Sequence, residues 1–196
     1  LMIFTLITLA IAALVIFYGV GIYNHLVALR NRYRNAFAQI DVQLQRRHDL
    51  IPNLVETAKR YLQHEEETLT QVIQARQSAI TAKQKAATSP DSDQIMAQLG
   101  QAEGGLSNAL MRFNAVAENY PDLKANTTMA ELMEELSSTE NRIGFARQAY
   151  SDGVMHYNTY REQFPNNIVA GFGSFSPAHS LELENPEARK NVKVSF

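Results

Sequence analysis

The hydrophobic pattern divides the chain into an unbroken apolar run and a periodic remainder. From Leu1 to Tyr23 there is no charged side chain. At 1.5 Å per residue such a run rises roughly 34 Å, enough to cross a hydrocarbon core of about 30 Å. A transmembrane helix over residues 1–23 is therefore predicted. No Lys or Arg precedes the run and Tyr18 and Tyr23 lie near its end, which favours a retained anchor over a cleaved signal peptide.

Beyond the run, Leu26, Tyr33, Phe37, Ile40, Leu44, Ile51, Leu54, Ala58 and Leu62 fall at helical spacing and predict a seam for other helices. Pro52 lies inside this pattern, and because the seam continues in phase a kink over residues 48–51 is expected rather than an end. Leu69, Val72, Ile73, Arg76, Ile80 and Lys83 resume the rhythm with no Gly or Pro between the runs. The pattern alone leaves a break over 64–67 open.

Thr88 to Ser92 reads as a turn with helix-start chemistry. A third helix then carries Ile95, Leu99, Ala102, Leu106, Leu110, Phe113, Val116 and Tyr120 on one face. Gly104 and Gly105 suit the close approach of a neighbouring helix. Pro121 ends this helix, and Thr128 with Glu131 makes a capping-box start for a fourth. That helix runs through Met129, Leu132, Leu136, Ile143, Tyr150, Val154, Tyr157 and Phe164, and Pro165 closes it. Residues 166–196 show no helical period, and the final NVKVSF alternates as a short strand does. This stretch is expected to dock on its own helices or on a neighbouring subunit, with Phe172, Phe175 and Phe196 as anchors.

Charge changes the picture at one end. Net charge is −2, too small to suggest a nucleic-acid partner, but residues 24–60 carry a net +4 and residues 61–160 a net −6. Arg30, Arg32 and Arg34 follow the apolar run closely, so the positive-inside rule places the C-terminal part in the cytoplasm and the N-terminus outside. The same arginines are candidates for contact with anionic membrane lipid. Cysteine is absent, which excludes disulfides, a thiol nucleophile and thiolate metal sites.

Candidate catalytic chemistry is thin. His64, Glu65 and Glu66 begin a zinc-protease pattern, but position 68 is Thr and the second imidazole is missing. The five histidines show no ligand spacing, the glycines near 171 lack the context of a phosphate loop, and no serine sits in a nucleophile elbow. One polar set stands out: Glu140 and Arg147 share a face of the fourth helix, and Arg47 falls in phase with Leu44 and Leu54. A partly buried Arg and Glu layer that fixes helix register is expected there.

Three separated motifs, YNHLVALRNRYRNAFAQIDVQLQRRHDLIPNLVETAKRYLQHE, ENYPDLKAN and ENRIGFARQAYSDGVMHYNTYREQFPNNIVA, closely resemble the LemA family of bacterial membrane proteins over nearly the whole chain. The resemblance implies an all-α architecture: a transmembrane helix (1–23), an antiparallel up-and-down bundle of four long helices (24–165) with a turn near 64–67, and an extended tail (166–196). Asp152 and Gly153 depart from the family pattern and imply a looser fourth helix at that point. No catalytic residues are established for the family, and one magnetosome-associated branch is tied to membrane formation. The expectation is a non-enzymatic scaffold or adaptor in the bacterial inner membrane, without cofactor or metal, that touches membrane lipid and self-associates as a homo-oligomer. The alternative is a sensor or regulator that binds a soluble protein partner through the acidic distal end.

Overall fold

A computed structural model describes residues 1–181, which form six helices and no strand. Helix α1 spans Met2–Lys59, α2 Glu66–Thr88, α3 Asp93–Ala117, α4 Pro121–Lys124, α5 Thr127–Glu162 and α6 Asn166–Phe172. The tail anchor Phe196 and the strand-like NVKVSF lie outside the described residues.

Helix α1 is continuous for 58 residues and passes through Pro52 without ending. Its first part is long and apolar enough to cross a membrane and touches almost nothing else in the protein; burial begins at Ile22 and is complete at Leu26. From there all nine residues of the expected seam, Leu26 to Leu62, are buried.

Helix α1 packs most extensively along α5, α2 packs along α3, and α1 joins the two pairs through α2. Side-chain contacts give the directions. His25 meets Tyr160, Phe37 meets Tyr150 and Arg46 meets Glu135, so α1 and α5 are antiparallel. Lys83 reaches Asp41 and Arg76 reaches His48, so α1 and α2 are antiparallel as well. Residues 60–65 make the turn between α1 and α2, a few residues before the turn near 64–67 that the family resemblance implied.

The core falls into two apolar halves. One gathers Ile22 to Leu44 of α1 with Met96, Leu99, Ile143, Tyr150 and Tyr157; the other gathers Ile51 to Leu62 with Val72, Leu106, Phe113, Leu123 and Met129. Between them, the residues that face inward are polar.

Several local expectations give way. The buried face of α2 is Leu69, Val72, Ala79, Ala82 and Ala86, whereas Ile73 is exposed. Small alanines let this helix lie close to its neighbours, so hydrophobic bulk misleads there. The cap of α5 is Asn126, whose Oδ1 accepts the Met129 N–H at 2.9 Å, and Thr128 lies inside the helix. A side chain at Gly105 would meet nothing, so that glycine serves no close approach; at Gly153 a Cβ would lie 3.1 Å from Tyr33 Cβ and 3.2 Å from its Cα. Gly153 thus marks a close approach of α5 to α1, and α5 runs through it unbroken. Residues 166–172, expected as the start of an extended tail, form α6, which seats Asn166 and Ala170 against α1 and α5. Phe164, assigned to the apolar face of the fourth helix, is 81% exposed.

Candidate functional site

Two constructions stand out from ordinary helix packing: a polar layer through the middle of the core, and a clasp of arginines, tyrosines and tail where α1 leaves the apolar segment.

The polar layer is built on α1 by Arg47 and His48. On α3, Glu103 occupies the seam between Leu99 and Leu106, and all three polar side chains are buried. His48 Nε2 donates to Glu103 Oε1 at 2.8 Å, leaving Nδ1 buried without a partner. Arg47 lies 3.4 Å from the second Glu103 oxygen, donates to Ser107 Oγ at 2.7 Å, and comes within 3.3 Å of Glu140 on α5. Helix α2 contributes Arg76, whose Nε donates to the His48 carbonyl at 2.6 Å. That carbonyl is the one four residues before Pro52, which has no N–H to offer it. Thr139 of α5 completes the level, its hydroxyl buried and unpartnered. All four long helices therefore meet at one level through polar groups. Slipping α1 against α3 would leave a buried charge without its partner, at about 3–5 kcal/mol. That cost is how such a layer fixes register.

The clasp lies midway along α1, at residues 23–34, next to the apolar segment. Tyr33 donates to Asp91 Oδ1 at 2.9 Å, and Arg34 pairs with the other Asp91 oxygen, tying the α2–α3 turn to α1. Burial opposes ionisation of Asp91, but the hydrogen bonds from Arg34 and Tyr33 and the nearby positive charge of Arg34 and Arg30 outweigh it and hold the carboxyl below its ordinary range. The Tyr33 phenol is pushed well up by burial and by its bond to Asp91. Tyr33 also packs against Tyr150 and Tyr157 of α5, with ring centroids 6.2 and 5.1 Å away.

The described part of the tail folds back into this region. Phe175 is buried, meets the Tyr23 ring edge-on at 5.2 Å, and carries the Arg30 guanidinium 4.9 Å above its ring. Asn158 accepts from the Ala178 N–H and donates to the Ala178 carbonyl, imitating one rung of a sheet on the side of a helix. Tyr150 and Tyr157 donate to the carbonyls of His179 and Ser176.

The three basic residues next to the apolar run therefore differ. Arg30 stacks on Phe175 and Arg34 pairs with Asp91, while Arg32 is exposed. Of the expected polar set, Arg47 and Glu140 come together. Arg147 is half-buried two turns farther along α5, its Nε without a partner, and makes no ion pair among the described residues. Of the tail aromatics, Phe175 is an intramolecular anchor and Phe172 is 89% exposed.

A family model described as the LemA family matches residues 36–196. The chain belongs to the LemA family. Among curated relatives, "Magnetosome protein MamQ 2" of Paramagnetospirillum magneticum is 26% identical over 175 residues, covering 82% of this chain and 64% of the relative. "Magnetosome protein MamQ" of Magnetospirillum gryphiswaldense is 24% identical over 168 residues, covering 78% and 62%. "Protein LemA" of Metamycoplasma hominis is 28% identical over 154 residues, covering 79% and 66%. This LemA-family chain thus spans somewhat under two thirds of the length of the magnetosome relatives it matches.

His48 and Glu103 were within reach of sequence reasoning. His48 sits in phase with Leu44 and Ile51, and Glu103 with Leu99 and Leu106. Ionisable residues on two seams announce a buried pair, and a search confined to metal-ligand and fourth-helix spacings passes over them.

Proposed function

We propose that this LemA-family chain is a non-enzymatic, membrane-anchored helical scaffold. Its four long helices form an up-and-down bundle on the cytoplasmic side of a bacterial inner membrane, with the N-terminus outside. Copies gather in the bilayer and pack side by side, organising or curving the membrane. The observation that carries this reading is the continuity of α1: one helix runs from an unburied apolar segment into the deepest part of the core. Anchor and bundle therefore move as one rigid rod, so side-by-side contacts between bundles are transmitted to the bilayer. The magnetosome names of two relatives support a role at membranes.

The tail's part in assembly is narrower than its aromatics suggest, because Phe175 is consumed within its own chain. Val42 of α1 and Phe145 of α5, both exposed and close to the same level of the antiparallel pair, are the side chains proposed to meet a second copy. The chain has no cysteine, so Val42→Cys and Phe145→Cys introduce unique thiols. Cross-linking between copies in native membranes at these positions, and none at a Lys124→Cys control, supports the scaffold. Equal absence of cross-linking at all three refutes this contact.

A further inference from the structure

We infer that α6 is a second membrane contact, a short interfacial foot that lies on the bilayer surface beside the anchor. The proposal rests on the anchored reading given above, and extends it to residues outside the transmembrane segment.

Three observations meet at this helix. The first is its exposed face: Phe164 just before it, then Ile168 and Phe172 one turn apart, are 81%, 50% and 89% exposed. Large apolar side chains clustered at a free surface ask for a cover. The second is its position. Helix α6 packs against α1 and α5, and the segment that follows it places Phe175 on Tyr23, with Gly173 also close to the Tyr23 ring. Tyr23 closes the apolar run, at the depth where an anchor helix meets the headgroups. The exposed face is therefore level with the membrane boundary. The third is charge: between Glu162 and Glu182 there is no Asp, Glu, Lys or Arg, although 19% of the whole chain is charged. A segment meant for water has little reason to lack charge, whereas one that enters the acyl boundary loses stability with every charge it carries.

The bilayer is favoured over a second copy as the cover because the face lies beside Tyr23, where the exposed apolar surface of α1 ends. The anchor already holds α6 at the interface, so the entropic cost of bringing this face to the lipid is met by the anchor. Phe172 and Phe164 then act as interfacial aromatics, and Asn167 with Gln163 stays among the headgroups.

The chain contains no tryptophan, so single substitutions give unambiguous reporters. The full-length variants Phe172→Trp, Phe17→Trp and Met111→Trp would be reconstituted in vesicles of phosphatidylcholine and phosphatidylglycerol. Each would be prepared with lipids brominated near the headgroup or near the chain terminus. Phe17 lies within the anchor, and Met111 is exposed on α3 roughly 50 Å along the bundle axis from Tyr23. All three side chains are exposed, so the variants leave the core intact.

The expected result is that Trp emission at position 172 is blue-shifted and loses more intensity to shallow than to deep bromine. Position 17 should lose intensity to deep bromine, and position 111 to neither. If position 17 is quenched while position 172 behaves like position 111, the foot is wrong and the anchor stands. A blue shift at 172 without bromine quenching means that protein covers the face, and also overturns the proposal. Loss of quenching at position 17 itself would overturn the anchored reading and the foot with it.

Discussion

The Nε of Arg76 on α2 donates to the backbone carbonyl of His48 on α1 at 2.6 Å. Pro52 removes the helical donor for that carbonyl, and the neighbouring helix replaces it with a charged one. A sequence feature that weakens one helix is thereby converted into a bond between two.

This predicts a specific non-additivity. Arg76→Met should destabilise the protein by about 1.5–3 kcal/mol, the range for a hydrogen bond to a charged group. In a Pro52→Ala background the alanine N–H can satisfy the His48 carbonyl, so the same substitution should cost less. A double-mutant cycle by urea denaturation of the detergent-solubilised protein measures the coupling, and additive effects would show that Arg76 acts elsewhere.

The two carboxylates around Arg47 should differ sharply. Glu103 is fully buried, while the Glu140 side chain is 53% exposed. Glu103→Ala strands Arg47 and His48 in the core and should cost about 3–5 kcal/mol. Glu140→Gln loses a solvent-screened contact and should cost about 0–1 kcal/mol. Chemical denaturation midpoints of the two variants check the order.

Two glycines should respond with opposite signs to alanine. At Gly105 nothing stands in the way, so Gly105→Ala should stabilise by up to about 1 kcal/mol through helix propensity. At Gly153 the new methyl meets the Tyr33 backbone, which cannot turn aside as a side-chain tip would. The overpacking cost of about 1–3 kcal/mol should exceed the propensity gain. Thermal melts of the two variants give the signs directly.

The Asp91 clasp makes stability depend on pH at both extremes. Asp91 titrates below its ordinary value of 3.8 when folded, so its contribution is present above that value and is lost as pH falls through the lower folded pKa. Tyr33 titrates above its ordinary value of 10.0 when folded, so its contribution is present below 10.0 and is lost as pH rises through the higher folded pKa. Asp91→Asn should flatten the acid limb of a plot of melting temperature against pH. Tyr33→Phe should flatten part of the alkaline limb, the rest belonging to phenols such as Tyr150, which burial also raises.

The seam of α1 was legible residue by residue, because its large side chains at helical spacing face a core on one side only, and the resemblance implied the turn between α1 and α2 a few residues later than it falls. Helix α2 was legible as an element but not in its facing, since Ala79, Ala82 and Ala86 give no hydrophobic contrast. The polar layer was half legible. Arg47 and Glu140 were expected together, yet the deeper partner Glu103 sits on a different helix, and local spacing says nothing about which helices share a level. Gly153 read as a weakness because the tyrosine that needs its missing side chain lies 120 residues away in sequence. Helix α6 is too short for periodicity to register, and only its packing on α1 and α5 holds it.

The central claim, a scaffold built by side-by-side contact of anchored bundles, is tested most directly by the mass of the full-length particle in mild detergent, measured by light scattering across a range of protein concentrations. A monodisperse particle of several 22.0 kDa chains, reduced in size by Val42→Glu together with Phe145→Glu, is the predicted result. A monomer at every concentration would contradict it and would favour a sensor that binds a soluble partner.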